Sequence, residues 1–393
     1  MKVLYIGNYR DGTGYGQAAE DYILSLDSVG VNVVCRPLKF NDLNHTPHKR
    51  VEELEKKSTD NCSVVIQHTL PTHVQYDSNF DLNIALFAHE TSSFRMAGWQ
   101  NHLNNMDCCV VINNQMIESC RDSGVKVPIY VVPHARDFSI YTEKFEKLKQ
   151  VEDNTFKNDF IFYTIGEQKR RKNLSALLKA YFLEFSRDEN VCLIVKTNHE
   201  DKEDFTKYCN SISSGLNVRR PPRVFCIKER LSNNAIYKLH NSCDAFVQAS
   251  YGEAWSIPAF DAMGFGKTPI VTNCSGYKDY LNDNVGWLVD CHKEFIFGQE
   301  RIVNGIYDGS EYWWSIDIHN LRRKMRDCYS MEDIRKSKAT SALDRAYEFS
   351  HEKVGLKFLK VIKHASKKEK TNLGRHCELQ GGTYRGFLEG RER

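Results

Sequence analysis

The chain has 393 residues, more than a single hydrophobic core usually serves, so two domains of ordinary size are expected. A formal charge of +3 is too small to mark a dedicated nucleic-acid binder, and no apolar run is long enough to cross a bilayer. Thirteen cysteines are scattered, mostly inside apolar runs and without a C-x-x-C pair, which predicts reduced, buried thiols and gives neither a zinc site nor a disulfide framework its spacing.

Residues 1–7 hold one Lys and a short apolar run that leads at once into a glycine-rich loop, with no cleavage-site pattern. This reads as a first strand rather than a signal, and a cytoplasmic location is expected. A helix follows over 17–29, with Ala18, Ala19, Tyr22, Ile23, Leu26 and Val29 on one face. Further strands are predicted at 31–35, 63–67, 83–88, 108–112 and 129–132. Such βα alternation favours a parallel sheet covered by helices on both faces.

Between 138 and 158 the pattern gives way to charge, with Glu143, Lys144, Glu146, Lys147 and Lys149 close together. The series then restarts with a strand at 160–165, a helix at 173–185 and a strand at 191–196. Later strands are predicted at 223–227, 245–248, 268–272 and 286–289, with helices near 232–240, 258–265, 318–329, 331–349 and 354–362. The expected organisation is an α/β chain of two Rossmann-like domains facing each other across a cleft. Residues 1–150 form the N-terminal domain, 155–350 the C-terminal domain, and a helix at about 351–365 packs back on the first. Residues 366–393 are expected as a mobile charged tail. Open α/β sheets bind ligands beyond the carboxyl ends of their strands, so the chemistry should sit on post-strand loops.

Three loops stand out. The first, Gly7-Asn8-Tyr9-Arg10-Asp11-Gly12-Thr13-Gly14-Tyr15-Gly16, lies between the first strand and its helix, where amides and the helix dipole favour an anion. Its G-x-G-x-G order is not the dinucleotide fingerprint, and a flexible turn remains the alternative. The second, Gly166-Glu167-Gln168-Lys169-Arg170-Arg171-Lys172-Asn173, places four cations at a helix start that already carries positive potential. A diphosphate there would offset the conflict; a solvated basic turn is the other reading.

The third loop runs from Ala249 through Glu253, Ser256, Ile257 and Pro258 to Asp261 and Gly266. Ser256 can cap a helix and Pro258 is tolerated in its first turn. Glu253 then lies in the loop and Asp261 near the helix start, two carboxylates able to meet different parts of one polyhydroxylated ligand. A surface role for Glu253 and a capping role for Asp261 are the alternatives.

This third segment resembles the E-x7-E signature of the family-4 retaining glycosyltransferases, which have the GT-B fold. Arg171-Lys172-Asn173 is similar to that family's phosphate-binding R-K motif, and Ser275-Gly276-Tyr277-Lys278-Asp279 to its small-Gly-x-x-acid loop. The N-terminal glycine loop, His89-Glu90-Thr91-Ser92 and Val132-Pro133-His134-Ala135-Arg136-Asp137 also resemble family elements. The likeness runs to about residue 362. It departs from the pattern at Asp261, where Glu is usual, and at Glu167, near which an arginine is expected.

The resemblance implies transfer of a sugar from a nucleotide-diphosphate donor, such as a UDP- or GDP-sugar, with retention and without an obligatory metal. It implies catalytic roles for Glu253 on the sugar hydroxyls, for Lys172 and Arg171 on the diphosphate, and for His89 near the reacting centre. Asp261 would hold the ribose, and Gly14, Gly16, Gly166, Ser256 and Ile257 would line the donor. No cofactor and no metal ligand is expected, in keeping with the lack of a D-x-D motif.

The acceptor stays open among surface glycans, lipid-linked sugars and hydroxymethylated DNA bases, since fold does not name it. Lys367, Lys368, Lys370, Arg375, Arg385, Arg391 and Arg393 make the tail a candidate for peripheral membrane or phosphate-backbone contact, against the reading of a solvated end. Two rival functions are a two-domain nicotinamide-dependent oxidoreductase and a noncatalytic sugar-nucleotide binding protein.

Overall fold

The computed structural model describes residues 1–40, 45–152, 156, 159–197, 205–296, 307 and 309–371. In chain order the first part holds β1 (Lys2–Gly7), α1 (Gly14–Ser28), β2 (Asn32–Pro37), α2 (Lys49–Glu55), β3 (Val64–His68), β4 (Leu82–Phe87), α3 (Trp99–Leu103), β5 (Cys108–Val111), α4 (Gln115–Asp122) and β6 (Ile129–Val131). Then come α5 (Ser139–Thr142), α6 (Lys149–Glu152), β7 (Phe160–Ile165), α7 (Leu174–Glu184), β8 (Val191–Lys196), α8 (Phe205–Gly215), β9 (Arg223–Ile227), α9 (Asn233–Ser242), β10 (Ala245–Gln248), α10 (Ile257–Gly264), β11 (Ile270–Thr272), α11 (Tyr277–Tyr280) and β12 (Trp287–Val289). The hairpin β13 (Cys291–Phe295) and β14 (Tyr312–Ile316), and helices α12 (Ile318–Ser330), α13 (Glu332–Tyr347) and α14 (His351–Thr371), complete the chain.

Two compact units result: Met1–Asp137 with the stretch from Phe349 onward, and Phe138–Gln299 with Gly309–Glu348. Each is built on six parallel strands, ordered β2-β1-β3-β4-β5-β6 in unit 1 and β12-β11-β10-β7-β8-β9 in unit 2. Strands such as β3, β4, β8 and β10 are buried along their whole length, as a sheet covered on both faces requires. Their order fixes where ligands can enter. Connections reverse direction between β1 and β3 in unit 1, and between β7 and β10 in unit 2, which opens a crevice at those carboxyl ends.

Unit 1 is closed by α14. Val354, Phe358 and Ile362 are fully buried, an i, i+4, i+8 stripe, and the Phe358 ring meets Tyr22 of α1 edge-on at 5.7 Å. His351 Nε2 lies 2.8 Å from Asp21 Oδ1, and Arg136 donates to Asp21 Oδ2 at 2.9 Å. At Gly355 a Cβ would sit 2.1 Å from Ser25 O, so only glycine lets the two helices approach this closely. In unit 2 the core joins Phe162, Leu177, Leu178, Tyr181 and Val195 to Leu321 and Met325 of α12.

Several boundaries differ from the sequence reading. Helix α1 begins at Gly14, three residues early, because Thr13 accepts from Gly16 N at 3.1 Å and caps it. The strand expected from 268 begins at Ile270, after Pro269, which has no amide to give a ladder. The helix expected over 351–365 continues to Thr371, so the start of the expected tail is helical. The remainder of that tail, 372–393, lies outside the described residues. Helices α2, α3, α4, α5, α6, α8 and α11 and the β13–β14 hairpin were not individually anticipated. Among the described residues the cysteines are all free thiols, most of them buried, and no helix is long and apolar enough to cross a membrane.

Candidate active site

The four-cation loop and the Glu253 loop both leave the carboxyl edge of unit 2 at its switch point, from β7 and β10. After β7, Gly166 N still bonds Lys196 O of β8 at 3.0 Å. The chain then makes a 3-10 turn over Arg170–Lys172 and enters α7 through Asn173, whose left-handed backbone (φ 49°) suits an asparagine and whose side chain caps Ala176 N. Gly166 gives the turn its floor. The methylenes of Lys172 pass 3.6–3.8 Å from where a Cβ would stand.

Lys172 and Arg171 converge on one carboxylate. Lys172 Nζ donates to Glu253 Oε1 at 2.7 Å, and Arg171 NH1 lies 3.1 Å from Oε2 while also donating to Gly252 O at 2.7 Å. Tyr251 N bonds Arg171 O at 2.9 Å, locking the two loops together by backbone as well. Glu253 is 5% exposed. Burial pushes its carboxyl up, but the charges of Arg171 and Lys172 outweigh it and hold the group down at about 2. The result is a preformed, ionised cluster in which each charge is hydrogen-bonded, the condition under which buried ions are tolerated.

A second tier fixes Glu253. Gln248 Nε2, at the end of β10, reaches Glu253 Oε1 at 3.3 Å, and Ser256 Oγ donates to Gln248 Oε1 at 2.6 Å. Ser256 occupies the cap position of α10 with φ 68°, yet its hydroxyl is spent on Gln248 and does not cap the helix, contrary to the sequence reading. Gly276 N bonds Glu253 O at 3.0 Å, and a Cβ there would lie 2.0 Å from Ala254 O. The small-Gly-x-x-acid loop is therefore packed directly behind the Glu253 backbone.

Asp261 is placed differently from the expectation. Helix α10 starts at Ile257 and holds no acidic residue in its first turn, so Asp261 sits beyond that turn, 3% exposed, with Tyr141 Oη of α5 donating to its Oδ1 at 2.7 Å. The side chain joins two elements of unit 2 instead of ending at a helix tip. Ile257 is the half-buried first residue of α10.

In unit 1, Gly14 and Gly16 belong to the first turn of α1. Nothing lies within 4 Å of a Cβ at Gly14, whereas one at Gly16 would meet Asn8 O at 2.8 Å, so Gly16 serves the close passage of helix over strand exit. His89 is 3% exposed. Its Nε2 lies 2.7 Å from Thr91 Oγ1 and 3.2 Å from Ser93 O, and its ring packs edge-on against Phe94 and Trp99. Burial lowers its pKa, so the ring is neutral at pH 7. His134 is also buried and held down at about 3, chiefly by burial.

Sequence reasoning missed Gln248, Tyr141 and the packing duty of Gly276. A glutamine ending an otherwise apolar buried strand was a signal for the first. Tyr141 lies in a charged linker and carried none. Among the described residues no cluster of His, Cys, Asp or Glu could hold a metal ion.

Residues 145–296 match the family described as Glycosyl transferases group 1. A curated relative, ORF313 of Acidianus filamentous virus 1, whose name assigns it provisionally to the glycosyltransferases, is 29% identical over 110 residues. That match spans 28% of this chain and 33% of the relative's own length. Among solved structures, sucrose-phosphate synthase from Thermosynechococcus elongatus superposes with a TM-score of 0.65 at 12% identity, over 94% of this chain and 100% of the other. Anabaena HepE gives 0.63 at 13% identity, over 93% and 100% of the two chains. A glycosyltransferase of Rickettsia africae gives 0.64 at 14% identity, over 93% and 98%. These likenesses are ones of fold. Arg171, Lys172 and Glu253 all lie inside the segment that matches the group 1 family, and the chain has the GT-B fold.

Proposed function

We propose that this protein is a retaining glycosyltransferase that moves a sugar from a nucleoside-diphosphate donor to an acceptor hydroxyl. The observation that carries the reading is the meeting of Lys172 and Arg171 on the buried Glu253 carboxylate at the switch point of unit 2. Both cations already stand where one anion binds. A diphosphate arriving at this turn takes up their charge, and Glu253 is left to accept from hydroxyls of the transferred sugar.

Nucleoside diphosphate is a good leaving group, so the reaction asks for charge stabilisation and positioning more than for proton transfer. Negative charge grows on the departing phosphate as the sugar becomes oxocarbenium-like. Arg171 and Lys172 meet the first change, and Glu253, held ionised by them, meets the second. The acceptor hydroxyl attacks from the face the phosphate leaves. Asp261, oriented by Tyr141, takes the ribose, with Ser256 and Ile257 at the head of α10 beside it. Gly166 lies under the Lys172 stem beside the donor, and His89 holds the shape of the loop after β4.

We assign the donor to unit 2 and the acceptor to unit 1. HepE was solved with UDP and glucose, which makes a UDP-sugar the first donor to try and a GDP-sugar the second. A glycan hydroxyl or a lipid-linked sugar is the acceptor class, with a hydroxymethylated DNA base as the other case. The group 1 match favours this reading over a nicotinamide-dependent oxidoreductase. Incubation with UDP-glucose, UDP-N-acetylglucosamine and GDP-mannose, each with a panel of acceptors, should release nucleoside diphosphate from one donor and give a product with the donor's anomeric configuration by NMR. Binding without release from any donor would leave a noncatalytic sugar-nucleotide binder, and an inverted product would remove the retaining mechanism.

A further inference from the structure

The four consecutive cations do not act as one group. Arg171 and Lys172 serve Glu253, while Lys169 and Arg170 line a separate cavity of about 450 Å³ whose walls include neither Arg171, Lys172 nor Glu253. A third cation, Lys179, enters the same cavity from α7, one turn beyond Ser175 and on the same helix face. Among the described residues that line it, none is acidic. Lys169 also pairs with Glu167 at 2.6 Å, but both side chains are largely exposed, so that pair is screened and readily exchanged.

The other wall is aromatic. Tyr251 and Tyr208 border the cavity, and Tyr251 is stacked at 4.4 Å on Trp313 of β14, with the Arg170 guanidinium 5.7 Å over that indole. A rigid ring surface beside three cations suits a ligand with a flat or cyclic body and an oxyanion at its edge. The volume falls in the range of small-ligand sites and exceeds what a lone inorganic anion fills.

We propose that this cavity is a second anion site, distinct from the donor site, that takes a monosaccharide-sized sugar bearing an oxyanion, phosphate or carboxylate. The oxyanion is held by Arg170 and Lys179, and the sugar ring lies against Tyr251 and Tyr208. The site stands independently of the donor assignment.

Titration calorimetry on the full chain tests it, with glucose 6-phosphate, glucuronate, inorganic phosphate and glucose as probes, on the wild type, Lys172→Ala and Lys179→Glu. At least one charged sugar should bind the wild type, and which of the two does so tells phosphate from carboxylate. Binding should survive Lys172→Ala and weaken by roughly tenfold or more in Lys179→Glu, as loss and reversal of a charge contact does. Lys179→Ala, which needs no new charge on α7, should give a smaller loss in the same direction. Rising salt should weaken binding. No binding of either charged sugar, equal binding by Lys179→Glu, loss on Lys172→Ala alone, or inorganic phosphate or glucose binding as tightly as the charged sugar would each overturn the proposal.

Discussion

Tyr141 Oη donates to Asp261 Oδ1 across 2.7 Å, joining α5 to the middle of α10 within unit 2. Both side chains are almost wholly buried, so removing the hydroxyl leaves a buried carboxylate short of a donor. Tyr141→Phe should cost about 1–3 kcal/mol, read as a thermal midpoint lower by a few degrees. If Asp261 holds the ribose, the same variant raises KM for the donor with little change in kcat. An unchanged KM would reduce the pair to a structural tie.

Lys172→Ala and Arg171→Ala should each lower turnover by roughly 10²-fold or more, the usual effect of losing a transition-state charge contact. Glu253→Gln should impair transfer while circular dichroism remains native. Near-normal turnover in both cation variants would dismiss them as the leaving-group contacts.

The Glu253 carboxyl, held at about 2 against a usual 4.5, ties stability to pH in one direction. Its folded pKa is lowered, so its contribution of roughly 3 kcal/mol is complete above the unfolded value and drains away as pH falls from 4.5 toward 2. Activity between pH 5 and 8 should therefore show no titration of this group, on the scale of carboxylate pKa values. In Lys172→Ala, burial acts against one cation instead of two, and the acid limb of kcat/KM should move upward. An identical acid limb in both proteins would detach Glu253 from that profile.

A Cβ at position 276 would stand 2.0 Å from Ala254 O and 3.1 Å from Glu253 O. Gly276→Ala must therefore displace the backbone that carries Glu253. We expect a fall in turnover of about 10²-fold, as a displacement near 1 Å can produce, together with a lower melting temperature. Wild-type kinetics would mean that the loop yields without moving the carboxylate.

Arg171 and Lys172 place two positive charges at the proposed leaving group. Turnover should accordingly be the same after exhaustive treatment with EDTA and after readdition of magnesium or manganese, measured as nucleoside diphosphate released. A loss restored by either ion would assign part of the charge stabilisation to a metal.

The α/β class and most strands were legible because buried parallel strands write themselves as short runs rich in Val and Ile, as at β8 and β10. That Arg171, Lys172 and Glu253 stand on loops leaving strand ends was legible too. What the spacing could not convey was who satisfies whom. Ser256 has the chemistry of a cap but gives its hydroxyl to Gln248, and Asp261 answers to Tyr141, more than a hundred residues earlier. Lys169 to Lys172 read as one basic run, yet the turn at 170–172 sends them to two places, a division set by backbone geometry. The β13–β14 hairpin escaped notice because it stands outside the βα rhythm that organised the rest.

The docking of α14 on α1 bears on how the protein is made. Tyr22 and the close-approach surface at Ser25 wait for Phe358 and Gly355, which the ribosome delivers only after all of unit 2. Unit 1 thus begins first in synthesis and closes second, leaving one face of α1 uncovered while the intervening unit folds, an interval in which chaperone binding or misassembly competes with closure.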